Sequence, residues 1–491
     1  MMFRKVLVAN RGEIAVRVLR ACRELGIRTV AVYSEADEDS LHVWLADEAA
    51  LIGPSEPERS YLHIGRILDA ARATGAEAIH PGYGFLAENP EFAAACRDAG
   101  IAFIGPPPEV LEAVGDKARA RRLGARLGIP VLPGTDHPVG DEEALPQAHR
   151  IGFPLLLKAA GGGGGRGMRV VRSPEELPQL LPDARREARA AFGTDAILLE
   201  RYLERPRHIE IQVLLDRYGG AVHLAERECS IQRRHQKVME EAPSVAVDPT
   251  LRGRLAEAAL RMMREAGYVN AGTVEFLVDR EGDFYFLEVN ARLQVEHPVT
   301  ELVTGVDLVH QQLRIAAGEA LAIRQEAVTL RGWAIQARVY AEDPERDFAP
   351  SAGTVLHLQE PHLPGVRVDS GIRVGQRIPV HYDPLLSKVI AWAPDRPTAI
   401  ARLRQALAAY VVLGPTTNLG FLLDVLGHPG FASGEVSTTF LADHFPDWRA
   451  REPSEEAFAV AAVLAGRAWT TGAPPQGFAD PWDRLRGWRM G

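Results

Sequence analysis

Three features of this 491-residue chain predict an α/β fold. Short apolar runs alternate with helical segments over residues 1–115. Five consecutive glycines, Gly161–Gly165, stand between two apolar stretches. Two strand-like segments within 273–290 carry acids with a period of two. The alternation at the N-terminus builds parallel βαβ units. Lys5–Ala9 reads as a buried strand, Ile14–Leu25 as a helix closed by Gly26, and Thr29–Val32 as the next strand. A dinucleotide-binding dehydrogenase is the runner-up for this segment, but Asn10-Arg-Gly-Glu13 lacks a Gly-x-Gly-x-x-Gly pattern.

The glycine run suits neither helix nor strand, because backbone entropy is lost there without side-chain packing. Its use is a loop whose N–H groups can close over phosphates. Pro154–Ala159 precedes it and Met168–Val171 follows, so it reads as a hairpin tip. It is not a Walker loop, since no Gly-Lys-Ser/Thr follows. A flexible linker is the bland alternative, and the apolar strands on both sides weigh against it.

The segment 283–290, Asp-Phe-Tyr-Phe-Leu-Glu-Val-Asn, has strand composition, which projects Glu288, Asn290 and Arg292 to one face. Thr273–Val278 is a second strand, and Asp279–Gly282 fits a four-residue turn. That turn sets Thr273 opposite Glu288 and makes Glu275 a diagonal neighbour of Glu288, about 7–8 Å away. Two acids and an amide give all-oxygen ligation, suited to magnesium and a nucleotide phosphate rather than zinc. Scattered charges on a solvated hairpin are the alternative, but Arg292 and Glu296 follow at once in a loop ending at Pro298.

Composition excludes several classes. Apolar content of 46% and charged content of 25% are those of an ordinary globular protein with ample core. A net charge of −9 argues against nucleic-acid binding, and Arg119–Arg122 and Arg185–Arg189 read as solvated helix faces. The N-terminus shows no signal-peptide core, and no run is long enough to span a membrane, so a cytoplasmic protein is expected. Cys22, Cys96 and Cys229 are odd in number and too scattered for a zinc pattern, and read as reduced thiols.

The glycine loop and the acidic hairpin together indicate an ATP-grasp enzyme, and five further motifs narrow the family. Asn10–Ala15, His80–Asn89, Gly115-Asp-Lys117, Arg207–Gln212 and Gln232–Lys237 occur in an order that resembles biotin carboxylase, almost collinearly from Met2 to Phe445. Val380–Lys388 and Thr416–Leu423 resemble the carboxylase segment of acyl-CoA carboxylase alpha subunits, of the methylcrotonoyl and propionyl types. The resemblance implies a Rossmann-like (pre-ATP-grasp) N-terminal domain over 1–115 and an ATP-grasp core over 116–328, with its glycine-rich lid at about 131–203. It also implies a mixed α/β C-terminal domain over 332–446 and a helical and linker-like tail over 447–491. In the tail, Ser454–Trp469 has helical composition and Gly472–Gly477 is linker-like.

Activity and roles follow from the same resemblance. The expected reaction is ATP-dependent carboxylation of biotin by bicarbonate through carboxyphosphate, the first half-reaction of an acetyl-CoA or other acyl-CoA carboxylase. Magnesium, or manganese, would be held by Glu275, Glu288 and Asn290. Lys117, Lys158, Gly164, Gly165, His208 and His235, with Glu275 and Glu288, would contact ATP, and Glu200-Arg201-Tyr202-Leu203 would receive the adenine. Lys237, Arg292 and the Val295 backbone would bind bicarbonate, Glu296 would be its base, and Arg338 would stabilise the enolate-like oxygen of deprotonated biotin. Singly, these residues fit blander roles: Lys117 a surface lysine, His208 a strand cap, His235 and Lys237 a solvated loop, Arg338 a buried ion-pair partner.

One position departs from the family. Residue 336, on the face of Arg338, is Gln where Glu is usual, which should leave Arg338 less neutralised. No Ala-Met-Lys-Met sequence occurs, so biotin is expected on a separate biotin carboxyl carrier protein, with a carboxyltransferase subunit as second partner and a homodimer or larger complex as the assembly. Another ATP-grasp ligase would share the glycine loop and carboxylates but not Arg292–Pro298 together with Arg338. A non-catalytic nucleotide-binding scaffold would be favoured by loss of a metal carboxylate, Lys237 or Glu296, and all are present.

Overall fold

The N-terminal segment forms a parallel sheet of five strands in the order Glu48–Gly53, Arg28–Ser34, Lys5–Val8, Ala78–His80 and Ala102–Phe103. The helix Gly12–Glu24 buries Ile14, Ala15, Val18, Leu19 and Cys22 on one stripe, and Gly26, at φ +70°, turns the chain after it as only glycine does cheaply. These observations come from a computed structural model that describes residues 2–160, 168–452, 455, 456 and 459. Gly161–Gly165 lie outside the described residues, as does the predicted tail helix apart from 455, 456 and 459. Residues Met1–Trp448 make one compact unit and Arg449–Gly491 a second.

The expected lid is a three-stranded antiparallel sheet, with Leu155–Ala159 between Arg169–Val171 and Ile197–Arg201. Leu155 pairs with Val171, so the glycine run joins two paired strands. The helices Asp141–Ile151 and Leu177–Phe192 close a small core of their own around Leu155, Leu157, Val171 and Leu199.

An eight-stranded antiparallel sheet carries the centre of the molecule. Its order is Phe284–Asn290, Asn270–Val278, Arg207–Leu215, Ala221–Arg233, Gln236–Ala242, Trp333–Tyr340, Leu385–Ala393 and Val366–Ser370. One sheet therefore runs from residues 207–290 into residues 333–393 without a break. Ile209, Ile211, Val213, Val274 and Phe276 face one core, and the intervening Glu210, Gln212, Thr273 and Glu275 face the opposite side.

The hairpin register corrects the sequence expectation. Glu275 stands directly opposite Glu288, and Asn290, not Glu288, is opposite Thr273. Two causes act. The turn closes between Asp279 and Asp283, one residue longer than expected, and a bulge falls between Glu275 and Phe276. Phe284 and Phe286 lie in the core before the bulge, Val289 and Ala291 after it. That switch of parity turns Glu288 and Asn290 to the same side as Glu275.

Buried ion pairs fasten the N-terminal segment to the rest. Arg17 donates to Glu301 at 3.0 Å and Asp307 at 2.6 Å. Arg367 donates to the other oxygen of Glu301 at 2.6 Å and to Asp369 at 2.7 Å. Lys388 lies 2.9 Å from Glu13, which also accepts from Tyr83. Nearby, Tyr382 from the Val380–Lys388 motif reaches the Ser55 carbonyl at 2.6 Å, with the Arg11 guanidinium stacked over its ring. Among the described residues no helix is long and apolar enough to cross a membrane.

Burial alone would raise the Glu301 and Asp369 carboxyls, but their arginine partners hold both well below the usual range. Depressed carboxyls contribute stability that is full above the unfolded value of about 4 and is lost as pH falls. Unfolding free energy should therefore decline as pH drops below about 4. Arg17→Met should lower it at neutral pH by about 3–5 kcal/mol in urea titration, because two carboxylates lose their buried partner. An Arg17→Met protein as stable as the parent would show that these pairs do not fasten the segments.

Candidate active site

A cavity of about 450 Å³ lies on the polar face of the large sheet, against the three-stranded sheet. Lys117, Lys158, Glu200, His208, His235, Lys237, Glu275, Glu288, Asn290, Arg292, Val295, Glu296 and Arg338 all line it. Arg201, Tyr202 and Leu203 are not part of that lining: the Arg201 and Tyr202 N–H groups donate to the carbonyls of Pro133 and Pro154. Gly164 and Gly165 lie outside the described residues.

Lys237 is the hub. Its ammonium lies 2.6 Å from Glu210, 2.8 Å from Glu275 and 2.6 Å from Glu296. Burial alone would lower its pKa, but the three carboxylates raise it well above the ordinary lysine value, so it stays charged. Glu296 also accepts from Arg338 at 3.0 Å. Burial would raise its carboxyl, yet Lys237, Arg338 and Arg227 hold it far below the carboxylate range. It stands at the start of the helix His297–Thr304, where the helix dipole also favours the anion.

The residues expected to contact a nucleotide gather at the other end. Lys117 opens the helix Lys117–Arg126 after the Asp116 cap and lies 2.6 Å from Glu288. Lys158 lies 2.7 Å from Glu200. Gln232 donates to Nδ1 of His208 at 2.9 Å, which leaves the proton on Nε2, 3.0 Å from Glu275. Arg234 and His235 have φ of +50° and +65° in the tight turn between two strands. A two-residue hairpin with both φ positive normally takes Asn-Gly, so His235 is held in a strained backbone conformation at the cavity wall. Arg121 faces the cavity and donates to Asp136 at 2.8 Å, so that arginine cluster is not simply a solvated face.

Glu275 and Glu288, opposite each other on one face with Asn290 beside them, offer an all-oxygen donor set that fits a hard divalent cation. The Asn290 amide nitrogen is buried without a partner, while its oxygen accepts from Arg292 at 2.9 Å.

Four residues escape sequence reasoning. Arg227, fully buried, satisfies all five of its N–H donors. They go to Glu210, Gln212, Thr300, Thr273 and Gln294, and Gln294 in turn donates to Glu275 at 2.7 Å. Glu88 accepts from Arg292 Nε at 2.8 Å and from the Ala291 N–H at 2.9 Å, fixing the bend after the hairpin. Glu210 shares Lys237, and Glu240 accepts from Arg338 Nε at 2.5 Å. A cue existed for the first: Glu226-Arg-Glu228 sits inside a central strand, where charges need buried partners. Arg338 is paired with Glu240 and Glu296, so two carboxylates face it although residue 336 is Gln. Cys229 Sγ lies 4.0 Å from Glu296, and burial pushes its thiol up, which suits packing rather than nucleophilic chemistry.

Known proteins resemble this chain over most of its length. Residues 2–111 match the family described as Biotin carboxylase, N-terminal domain, and 336–443 match Biotin carboxylase C-terminal domain. Between them, 116–324 match Carbamoyl-phosphate synthase L chain, ATP binding domain. The biotin carboxylase of Nostoc sp. is 51% identical over 90% of this chain and 99% of its own length. The methylcrotonoyl-CoA carboxylase subunit alpha of Rattus norvegicus is 50% identical over 90% of this chain, which spans only 62% of that relative. Among solved structures, the Hydrogenobacter thermophilus 2-oxoglutarate carboxylase biotin carboxylase domain dimer, in complex with MgADP and bicarbonate, superposes with a TM-score of 0.88. It is 48% identical, covering 92% of this chain and all of that one. The Campylobacter jejuni biotin carboxylase gives 0.87 at 43% identity, covering 90% and 99%.

Arg227→Lys keeps the charge but loses the fork that serves five acceptors. It should lower unfolding free energy by about 3 kcal/mol in urea titration, as breaking a buried network does. Unchanged stability would show that the network does not hold the cavity floor.

Proposed function

Since the chain belongs to the biotin carboxylase family, we propose that it couples ATP hydrolysis to carboxylation of biotin by bicarbonate. The observation that carries this reading is the set of groups around one cavity: lysines for phosphate, an opposed carboxylate pair for a metal, two further cations and a carboxylate. Bicarbonate is a poor electrophile and biotin a poor nucleophile, so ATP must activate one of them. The γ-phosphoryl group passes to a bicarbonate oxygen, releasing ADP and forming carboxyphosphate; its carbon–oxygen bond to the phosphoryl group then breaks, inorganic phosphate leaves, and the carbon dioxide released is captured by the ureido nitrogen.

Magnesium held by Glu275, Glu288 and Asn290 would neutralise phosphate charge. Lys117, Lys158, His208 and His235 line the phosphate end, and Gly164 and Gly165 of the lid would close over it, with Glu200–Leu203 beside the adenine. Lys237, Arg292 and the Val295 N–H bind bicarbonate and spread the charge that develops during transfer. Glu296 takes the bicarbonate proton. Its basicity in the resting site is suppressed by Lys237, and bicarbonate raises it by taking a share of that ammonium. Arg338 faces the ureido oxygen and stabilises the anion left when the nitrogen is deprotonated. Biotin arrives on a carrier protein and leaves for a carboxyltransferase, a division of labour supported by the likeness to the alpha subunits of acyl-CoA carboxylases. A homodimer is supported by the dimeric Hydrogenobacter domain.

Bicarbonate-dependent ADP release that rises on adding free biotin tests the reading. ATP turnover indifferent to both would contradict it. Arg292→Ala should cut biotin carboxylation at least about 100-fold, as loss of one preorganised charge stabiliser commonly does; near-normal turnover would remove its assigned role. Glu288→Gln should shift the magnesium requirement upward, and an unchanged titration would refute the opposed-carboxylate site.

A further inference from the structure

Arg338 has two acidic partners of different kinds. Glu296 is shared with Lys237 and is the group that takes a proton. Glu240 is different. Its carboxylate, 1% exposed, accepts from Arg338 Nε at 2.5 Å and, through its other oxygen, from the Gln336 amide at 2.9 Å. Glu240 and Gln336 are directly opposite on neighbouring strands, and Arg338 is the diagonal neighbour on the same face. On its other side Arg338 stands opposite Lys388, a second buried cation whose own nearest acids lie elsewhere.

Once substrate engages Glu296, Arg338 loses one counter-charge and still faces Lys388. Glu240 is then the acid that still holds its Nε edge. Gln336 supplies the other half of the fixture. Its amide oxygen is buried without a hydrogen-bond partner, so the side chain is retained in this pose for its donor side alone. The Gln336 donor occupies one oxygen of Glu240 and leaves the other for Arg338.

We propose that Glu240, clamped by Gln336, is a positioning residue that holds Arg338 with its outer nitrogens toward the biotin end of the cavity throughout the cycle. The inference rests on the biotin carboxylase reading and adds to it a fixed partner for Arg338.

The test compares ADP release from magnesium-ATP and bicarbonate, with and without free biotin, for the whole chain and two variants. In Glu240→Gln the biotin-stimulated rate should fall at least about tenfold more than the biotin-free rate, the loss expected for one charge-assisted hydrogen bond. Equal loss of both rates would mark Glu240 as merely structural and overturn the proposal. In Gln336→Leu, which removes the donor to Glu240, the KM for biotin should rise about fivefold and the KM for ATP by less than twofold; an unchanged KM for biotin would also overturn it. That second variant decides the matter if Glu240→Gln fails to fold. If the parent chain itself shows no stimulation by biotin, the functional reading fails and this inference falls with it.

Discussion

The ammonium of Lys237 among three carboxylates is the constraint on which the site depends. Glu210, Glu275 and Glu296 lie within 2.8 Å of it, and all are buried. Such a cluster adds little net stability, because desolvation offsets the attraction between its members. Its value lies in what it fixes. Glu210, Lys237, Glu275 and Arg338 come from four strands of one sheet, so the strand order must bring those strands together before any charge finds its partner. Arg227 lies beneath with every donor satisfied, and through Gln294 it also sets Glu275. The resting site is therefore charged, compact and internally neutralised, poised for an anion to displace protein carboxylates from lysine and arginine.

A second set of buried pairs holds the outer segments in place. Glu13, Arg17, Glu301, Arg367, Asp369 and Lys388 belong to segments far apart in sequence, and Asn418 adds a clamp on the strand of Arg338 by binding its carbonyl at 3.0 Å. These contacts account for motifs without chemistry of their own. Asn10–Ala15 supplies the helix start that meets Lys388, Val380–Lys388 supplies Tyr382 and Lys388, and Thr416–Leu423 supplies Asn418.

Much of this was legible in the chain because period-two spacing is a local property. Glu288, Asn290 and Arg292 were set on one face correctly, and the glycine run was correctly placed between paired strands. The register was not legible. One extra loop residue and one bulge shift the pairing, and both arise from backbone geometry that composition does not encode. Arg227, Glu240 and Glu88 were missed for another reason: each matters through a partner on a different strand or loop. Gln336 was noticed but its partner was not, because Glu240 reaches both it and Arg338 from across the sheet.

The central claim is that bicarbonate is phosphorylated in this cavity. Turnover of magnesium-ATP with oxygen-18-labelled bicarbonate and biotin tests it most directly. Carboxyphosphate keeps the bridging oxygen of bicarbonate on phosphorus when its carbon is released, so the account predicts one labelled oxygen in each phosphate formed. Unlabelled phosphate would mean that water, not bicarbonate, attacks ATP, and would contradict the account.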